Sequence, residues 1–563
     1  MAETILQLDT RDNVVVALAT LEPGAVARIN DAAWCTARET IPAKQKMAVA
    51  DLEPGDLIFM YGMVVGEAVE RIQCGGLLTT RNIRHRAGDY SAARRPTAIK
   101  TPDASAWAGR TFMGYHRADG QVGTRNFWIV VPLVFCENRN VEQMREALEE
   151  ELGYGRTNSS YRRQVRRLIE RQREGAETDA SNPTLAAKDA ARMGHPASKV
   201  GHPVQEGRVF PNLDGVRFLT HQLGCGGTRQ DARALCGLLA GYIHHPNVAG
   251  ATVLSLGCQN AQASILMEEL RGRDPELRKP VLIFDQQKSG HETTLMEQAL
   301  EQTFAALEEA NRAQRAPAPL AALTVGLQCG GSDGFSGISA NPTVGYVSDL
   351  LVGVGGKTML SEFPELHGVE QELINRCATD ELAERFSGLM QAYAARARAV
   401  ESDFAFNPSP GNIRDGLITD AIKSAGAARK GGVSAVNGVI DYPEYDTTPG
   451  LTLQCTPGND VESVTAQVGA GSTLVLFTTG LGTPTGNPVA PVVKISTNSR
   501  LAERMGDIID FDAGGIVSGE MTIADAAEKL LELSIEVANG ERLTKAEQRG
   551  QVDFIPWKRG VSL

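Results

Sequence analysis

The chain has 563 residues, 42% of them hydrophobic and 22% charged, and a net charge of −12. That length exceeds one hydrophobic core and predicts roughly three or four domains. The acidic balance argues against nucleic acid as the main partner, and no apolar run reaches the ~20 residues of a membrane span, so no membrane partner is expected.

MAETILQLDTRDN lacks the basic and apolar stretches of a leader, and the nine cysteines include no CxxC pair. Together these predict a reducing, cytoplasmic setting with thiols that are buried, catalytic or metal-bound, and leave zinc ribbons and thioredoxin-type motifs unsupported.

Residues 1–86 hold short apolar runs (VVVALATL, KMAVADL, DLIFMYGMVV) cut by glycine, proline and acidic turns, the pattern of a small β domain. AGDYSAARRPTAIKTPDASAWAGR (87–110) reads as a linker. From 111 to 315, strand-like runs (FWIVVPLVF, VRFLTHQL, ATVLSLG, PVLIFD) alternate with helical patterns, which predicts mainly parallel strands covered by helices. An insertion of weak periodicity is expected at about 155–210. Its basic part, 154–174, reads as a solvated helix face, or as an interface or an anion-contacting lid. AQRAPAPLA (313–321) reads as a second linker. Residues 316–563 then form another α/β domain, with strands at LTVGL, GKTMLSE, LTLQCTP and STLVLFTTG. In parallel sheets ligands gather at the carboxyl ends of the strands.

Four cysteines close such runs: Cys136 (VFCENRN), Cys225 (LGCGGT), Cys258 (LGCQN) and Cys329 (LQCGGSD). One such cysteine is ordinarily a small core hydrophobe. Four in one context predict thiols gathered on a functional edge, able to bind a soft metal or an iron–sulfur cluster. The loop after Cys329 offers Ser332, Asp333, Ser336 and Asn341 as substrate ligands. FTTGLGTPTGNPVAPVVKISTNS (477–499) offers Thr478, Thr479 and Asn498, with Lys494 as its cation. Its glycines could suggest a dinucleotide turn, but Pro484, Pro488 and Pro491 forbid the helix that must follow one. GYHRADGQVGTRNF carries Arg125 and Asn126 into a strand, as substrate ligands or as turn formers. His221 is either a general base or a satisfied core histidine. Glu362 and Glu365, in SEFPELHG, either bind metal or cap the next helix.

GYHRADGQVGTRNFWIVVP, HQLGCGG, LGCQN, GLQCGGSDGFSGISANP, SEFPELHGVEQ, NPSPGN, TPGND and VLFTTGLGTPTGNPVAPVVKISTNS occur in this order. The chain thereby resembles the altronate/galactarate dehydratase family over most of its length. The resemblance implies an N-terminal SAF-type β-clip domain. It also implies an iron-associated hydro-lyase acting on a small hydroxy-acid substrate, with iron as a mononuclear Fe2+ or as an iron–sulfur cluster. In such a reaction a base takes the proton α to a carboxylate, the β-hydroxyl leaves, and the enol becomes a 2-keto-3-deoxy acid. His221 and Lys494 are then the candidates for the base, and Cys136, Cys225, Cys258 and Cys329 for the metal ligands. A homodimer is the default oligomer.

The chain departs from the family pattern at Asp9, Thr79, Arg81, Gln259 and Ala421, where imidazoles or carboxylates are expected. Arg81 brings a permanent cation with bidentate donors, suited to an extra carboxylate or a sulfonate on the substrate. The alternatives are therefore a relative expelling another group, such as sulfite from a 2-hydroxy-3-sulfonate, or a catalytically silent ligand-binding relative.

Overall fold

The computed structural model of the chain describes residues 4–29, 32–96, 99–154, 164–170 and 208–562. The expected insertion at about 155–210, with its basic stretch, lies outside the described residues apart from a helical piece at 164–170 and residues 208–210. No helix among the described residues is long and apolar enough to cross a membrane.

The N-terminal domain is built from short antiparallel strands. Val14–Ala17 pairs with Ile5–Leu6 and Lys46–Ala48, Val26–Ile29 with Ala32–Thr36, and Met63–Ala68 with Leu57–Met60 and Ile83–Arg84. Side chains on a strand alternate between its faces. Val15 and Ala17 accordingly enter a small core private to this domain, while Val14 and Val16 enter a large core shared with the C-terminal domain. Cys35 and Cys74, read from the sequence as structural, stand side by side in this domain with Cα atoms 6.6 Å apart.

The middle domain carries a four-stranded parallel sheet of β1 (Phe127–Pro132), β2 (Gly215–Phe218), β3 (Val248–Ser255) and β4 (Val281–Asp285), in the order β2-β1-β3-β4. β1 is buried on both faces, as parallel strands usually are. Phe127, Ile129 and Val131 join one core and Trp128 and Val130 the other.

The C-terminal domain holds a seven-stranded sheet, also parallel throughout. Its strands are β5 (Thr324–Cys329), β6 (Lys357–Leu360), β7 (Val436–Ile440), β8 (Gly450–Gln454), β9 (Leu474–Thr479), β10 (Val492–Ser496) and β11 (Phe511–Asp512). They run in the order β7-β8-β6-β5-β9-β10-β11. Two elements differ from the sequence expectation. Arg315–Pro319, expected as a linker, is a strand antiparallel to Thr111–His116, and its prolines are tolerated because it lies at the sheet edge. Residues 477–499, expected as a loop, contain β10, which carries Lys494 into the core.

Candidate active site

The four strand-end thiols divide between the two sheets. Cys136, Cys225 and Cys258 follow β1, β2 and β3, three adjacent strands, and all three are exposed. Their loops are tied together: Phe135 N donates to Leu223 O at 3.0 Å, Ala261 N to Gly224 O at 3.0 Å, and the Asn260 amide to Cys225 O. Cys329 ends β5 in the other sheet and is 2% exposed. A single edge bearing four thiols is thus corrected to three plus one, because β5 belongs to a different sheet.

Cys329 stands in a closed ionic network. Lys430 Nζ lies 2.9 Å from its Sγ and 3.2 Å from Glu362 Oε2. Gln328 Nε2 donates to Glu362 Oε1 at 2.7 Å. Glu365 Oε2 is 3.5 Å from the same sulfur, while Glu365 Oε1 accepts from Lys423 Nζ at 2.7 Å. Gln328 and Cys329 arrive from the end of β5, Glu362 and Glu365 from the turn after β6, and Lys423 and Lys430 from the helix Asp420–Ala428 and the turn after it. Glu362 adopts the left-handed region, with φ of 67°, where a non-glycine residue is uncommon. Its backbone N–H is held there by Thr456 Oγ1 at 2.9 Å, so a strained backbone aims this carboxylate inward. Gly330 must lack a side chain, since a Cβ there would stand 2.3 Å from the Asp460 carboxylate.

Two carboxyls in one pocket are driven apart. Burial, with Glu365 adding to it, pushes Glu362 up to about 8. Burial also opposes the charge on Glu365, but Lys423 and Lys430 outweigh it and hold that carboxyl below its ordinary value. Lys423 and Lys430 are raised in spite of burial, by the carboxylates and Cys329 around them. Burial pushes the Cys329 thiol up to about 12. The network therefore pushes one carboxyl toward its protonated form and the other toward its ionised form, the arrangement that separates an acid from a base.

Above it lies a cleft of about 440 Å³ whose lining includes Pro364, Asn407, Gly458, Arg396 and Lys558. Asn407 Oδ1 accepts from Lys423 at 2.9 Å, and the Cβ position of Gly458 is 3.4 Å from the Glu365 side chain, so Glu365 sits one layer beneath the floor. Lys558 and Arg559, which also line the cleft, rest on the segment that follows Cys225. The Cβ position of Gly227 is 3.7 Å from Lys558, and Arg559 N donates to Asp231 Oδ1 at 3.0 Å. The cleft thus runs between the carboxylate network and the loop of Cys225, with cations on its rim.

The other expected site residues take internal partners. His221 is buried and has both ring nitrogens engaged, Nε2 with Pro132 O at 2.8 Å and Nδ1 with Leu223 N at 3.1 Å. Burial takes it down to about 4, so it has neither a free nitrogen nor the basicity of a general base. Lys494 is fully buried, donates to Thr485, lies 3.9 Å over the Phe477 ring, and is lowered by burial to about 7. Arg125 pairs with Glu547 at 2.8 Å, and Asn126 bonds Arg117 and Asn212. Both sit at the amino end of β1, opposite the ligand edge. Arg81 is exposed in a turn of the N-terminal domain.

Asp333 accepts from Ser336 Oγ at 3.1 Å, from Thr497 Oγ1 at 3.1 Å and from Lys44 Nζ at 2.9 Å. Ser332 O accepts from Asn412, Thr478 Oγ1 donates to Asn341 Oδ1 at 2.6 Å, Thr479 Oγ1 accepts from Gly482 N, and Asn498 Oδ1 accepts from Leu501 N. These loops form a joint between elements. Sequence reasoning missed Lys423 and Lys430. The available signal was two lysines seven apart in DAIKSAGAARKGG, among small residues that pack closely and leave no solvated face.

Comparison with known proteins agrees with this architecture. Residues 3–86 match the altronate/galactarate dehydratase SAF domain, 114–311 the D-galactarate dehydratase/altronate hydrolase second domain, and 320–562 the D-galactarate/altronate dehydratase C-terminal domain. The chain belongs to the altronate/galactarate dehydratase family and is an enzyme of the hydro-lyase class. It is 32% identical to an altronate dehydratase of Escherichia coli (strain K12), over 99% of each chain. It is also 32% identical to a galactarate dehydratase (L-threo-forming) of the same organism, over 91% of this chain and 88% of that one. A (2R)-sulfolactate sulfo-lyase subunit beta of Chromohalobacter salexigens is 30% identical, over 79% of this chain and 97% of its own length.

Proposed function

We propose that this enzyme eliminates water from a 2-hydroxy or polyhydroxy acid, of the altronate or galactarate kind, to give a 2-keto-3-deoxy acid. The observation that supports this most is the split carboxyl pair beneath a cation-rimmed cleft. Arg396 and Lys558 bind the substrate carboxylate, and Asn407 orients a hydroxyl. Glu365, kept ionised by its two lysines, takes the proton α to the carboxylate. Glu362, pushed toward its protonated form by burial and by Glu365, is the candidate acid for the departing hydroxyl. Lys430 stabilises charge that builds on the enediolate side of the network. This assigns the base to Glu365 in place of His221, whose nitrogens are both occupied. Lys494 remains the second candidate, since its lowered basicity lets it exchange a proton near neutrality.

The three exposed thiols suit iron. They are soft donors on adjacent loops, and three cysteines leave one coordination position of a cluster open. Iron held by Cys136, Cys225 and Cys258 would supply Lewis acidity for the leaving oxygen. Cys329, buried and bonded to Lys430, is not part of that set.

The test is turnover of anaerobically purified enzyme on altronate, galactarate and a 2-hydroxy-3-sulfonate, with separate detection of keto acid and sulfite. Keto acid without sulfite supports the reading. Sulfite release favours the second reading, which the sulfolactate lyase relative and the cationic rim support. Ligand-induced thermal shifts without any product would make the chain a silent binding relative.

A further inference from the structure

Away from the thiol loops, His85, His367 and Asp420 meet at the seam between the N-terminal and C-terminal domains. His85 follows the last strand of the N-terminal domain. His367 ends the turn that carries Glu365, and Asp420 opens the helix that carries Lys423. The two imidazoles stack with centroids 5.1 Å apart, and His367 Nδ1 is 2.9 Å from Asp420 Oδ2. One donor atom from each residue lies within 4.8 Å of the others.

Two of the polar atoms here are buried without a partner, Nδ1 of His85 and Oδ1 of Asp420, and Asp420 is 0% exposed. An unsatisfied buried carboxylate oxygen and imidazole nitrogen are each costly, and natural structures retain them chiefly where a ligand completes them. Imidazole and carboxylate together suit divalent first-row transition ions, and two histidines with one carboxylate leave coordination positions open.

We infer that His85, His367 and Asp420 form a divalent transition-metal site, separate from the thiol edge, that fastens the N-terminal domain to the C-terminal one. The inference does not depend on the reaction assigned above. Its ligands come from both domains, so occupancy links metal binding to docking. Thr419, next to Asp420, already donates from Oγ1 to Val65 O across the same seam at 2.8 Å. Phe404, which lines the cleft, packs on the His367 ring with centroids 5.7 Å apart, so the ion would stand behind one wall of the cleft.

The experiment is a titration of chelator-treated full-length protein with Co2+, followed by visible absorption and elemental analysis. The expected result is one ion per chain with d–d bands of imidazole and carboxylate ligation, beside any ion at the thiol loops, which shows thiolate bands and is removed in Cys225→Ser. Affinity should fall by more than about tenfold in His85→Ala, His367→Ala and Asp420→Asn, and stay unchanged in Cys225→Ser. His85 is only half-buried, so His85→Ala keeps the test interpretable if the other two variants misfold, and circular dichroism confirms its fold. Absence of Co2+ binding to the wild-type protein would overturn the inference. So would binding unaffected by His85→Ala, or Co2+ whose only bands are thiolate charge-transfer bands and whose binding vanishes entirely in Cys225→Ser. Failure of catalysis leaves this titration unchanged, so the two readings stand or fall separately.

Discussion

Lys430 holds its ammonium 2.9 Å from the sulfur of Cys329 while also reaching the carboxyl of Glu362 at 3.2 Å, and all three groups are closed to solvent. A buried cation in such a place is stable only while its partners remain, and the partners are likewise held by it. Lys430→Met is expected to lower kcat by about 10²- to 10³-fold, the scale of losing one preorganised charge stabiliser. Steady-state kinetics together with a melting curve separate that from simple unfolding. A folded variant with wild-type kcat would remove the network from the chemistry.

Glu365 and Glu362 carry opposite assignments, so their variants differ in pH dependence. On the proposed assignment, Glu365→Gln should lose the base and drop kcat by roughly 10²- to 10⁴-fold at every pH. Glu362 acts as an acid only while protonated, so wild-type activity falls as pH rises through about 8. In Glu362→Gln that alkaline limb disappears from the kcat–pH profile. An unchanged limb would assign it to another group, with Lys494 the first to examine.

Iron content distinguishes the thiols. On the iron site proposed above, Cys136→Ser, Cys225→Ser and Cys258→Ser should each lose most of whatever iron the wild-type protein carries after anaerobic purification. Cys329→Ser should keep it. Iron lost only in Cys329→Ser would relocate the centre to the carboxylate network.

His221 makes the native state sensitive to acid. Its ordinary value of 6.5 falls to about 4 in the fold. The stability it contributes is complete above pH 6.5 and is lost as pH falls toward 4, where the unfolded chain takes a proton that the native chain refuses. The loss approaches about 3 kcal/mol. Urea unfolding across that range should show a flatter dependence on pH in His221→Asn, from a lower starting stability. An equal slope would place the acid sensitivity elsewhere, with His245 next, since its ring is engaged in the same manner, by Ser472 O and Asn247 N.

Arg125 is 1% exposed and bonds Glu547, Thr124 O and Val537 O. Arg125→Met removes a buried cation from beside Glu547 and leaves Thr124 O and Val537 O without their donor, and should cost about 3–5 kcal/mol. Substrate KM for the folded fraction should not move. A raised KM without a stability loss would restore the substrate-binding role expected for it from the sequence.

The sequence made the parallel strands of the middle domain legible, because runs such as FWIVVPLVF leave no solvated face for alternation to mark. It also made legible that thiols end those strands. It did not show which strands share a sheet, and so Cys329 was grouped with three cysteines of another domain. Pro-rich AQRAPAPLA concealed an edge strand, since proline is excluded only where its missing N–H is needed. The hydroxyl- and amide-rich loops looked like a substrate cradle but spend their donors on one another. Glu362 and Glu365 were visible, but their role rests on Lys423 and Lys430, which approach only when a small-residue helix packs across the edge of the sheet.

Lys44 spans from the N-terminal domain to Asp333, the carboxylate that also gathers Ser336 and Thr497, while Lys46 donates to Gly416 O at 2.6 Å beside it. The glycine-rich loop after Cys329 is therefore ordered by a residue from nearly three hundred positions earlier in the chain. Peeling the N-terminal domain away would release that loop at the same moment, so the two cannot open in sequence. Amide protection in residues 330–341 should be lost in one event with protection around Lys46, and a ligand that slows one should slow the other by the same factor.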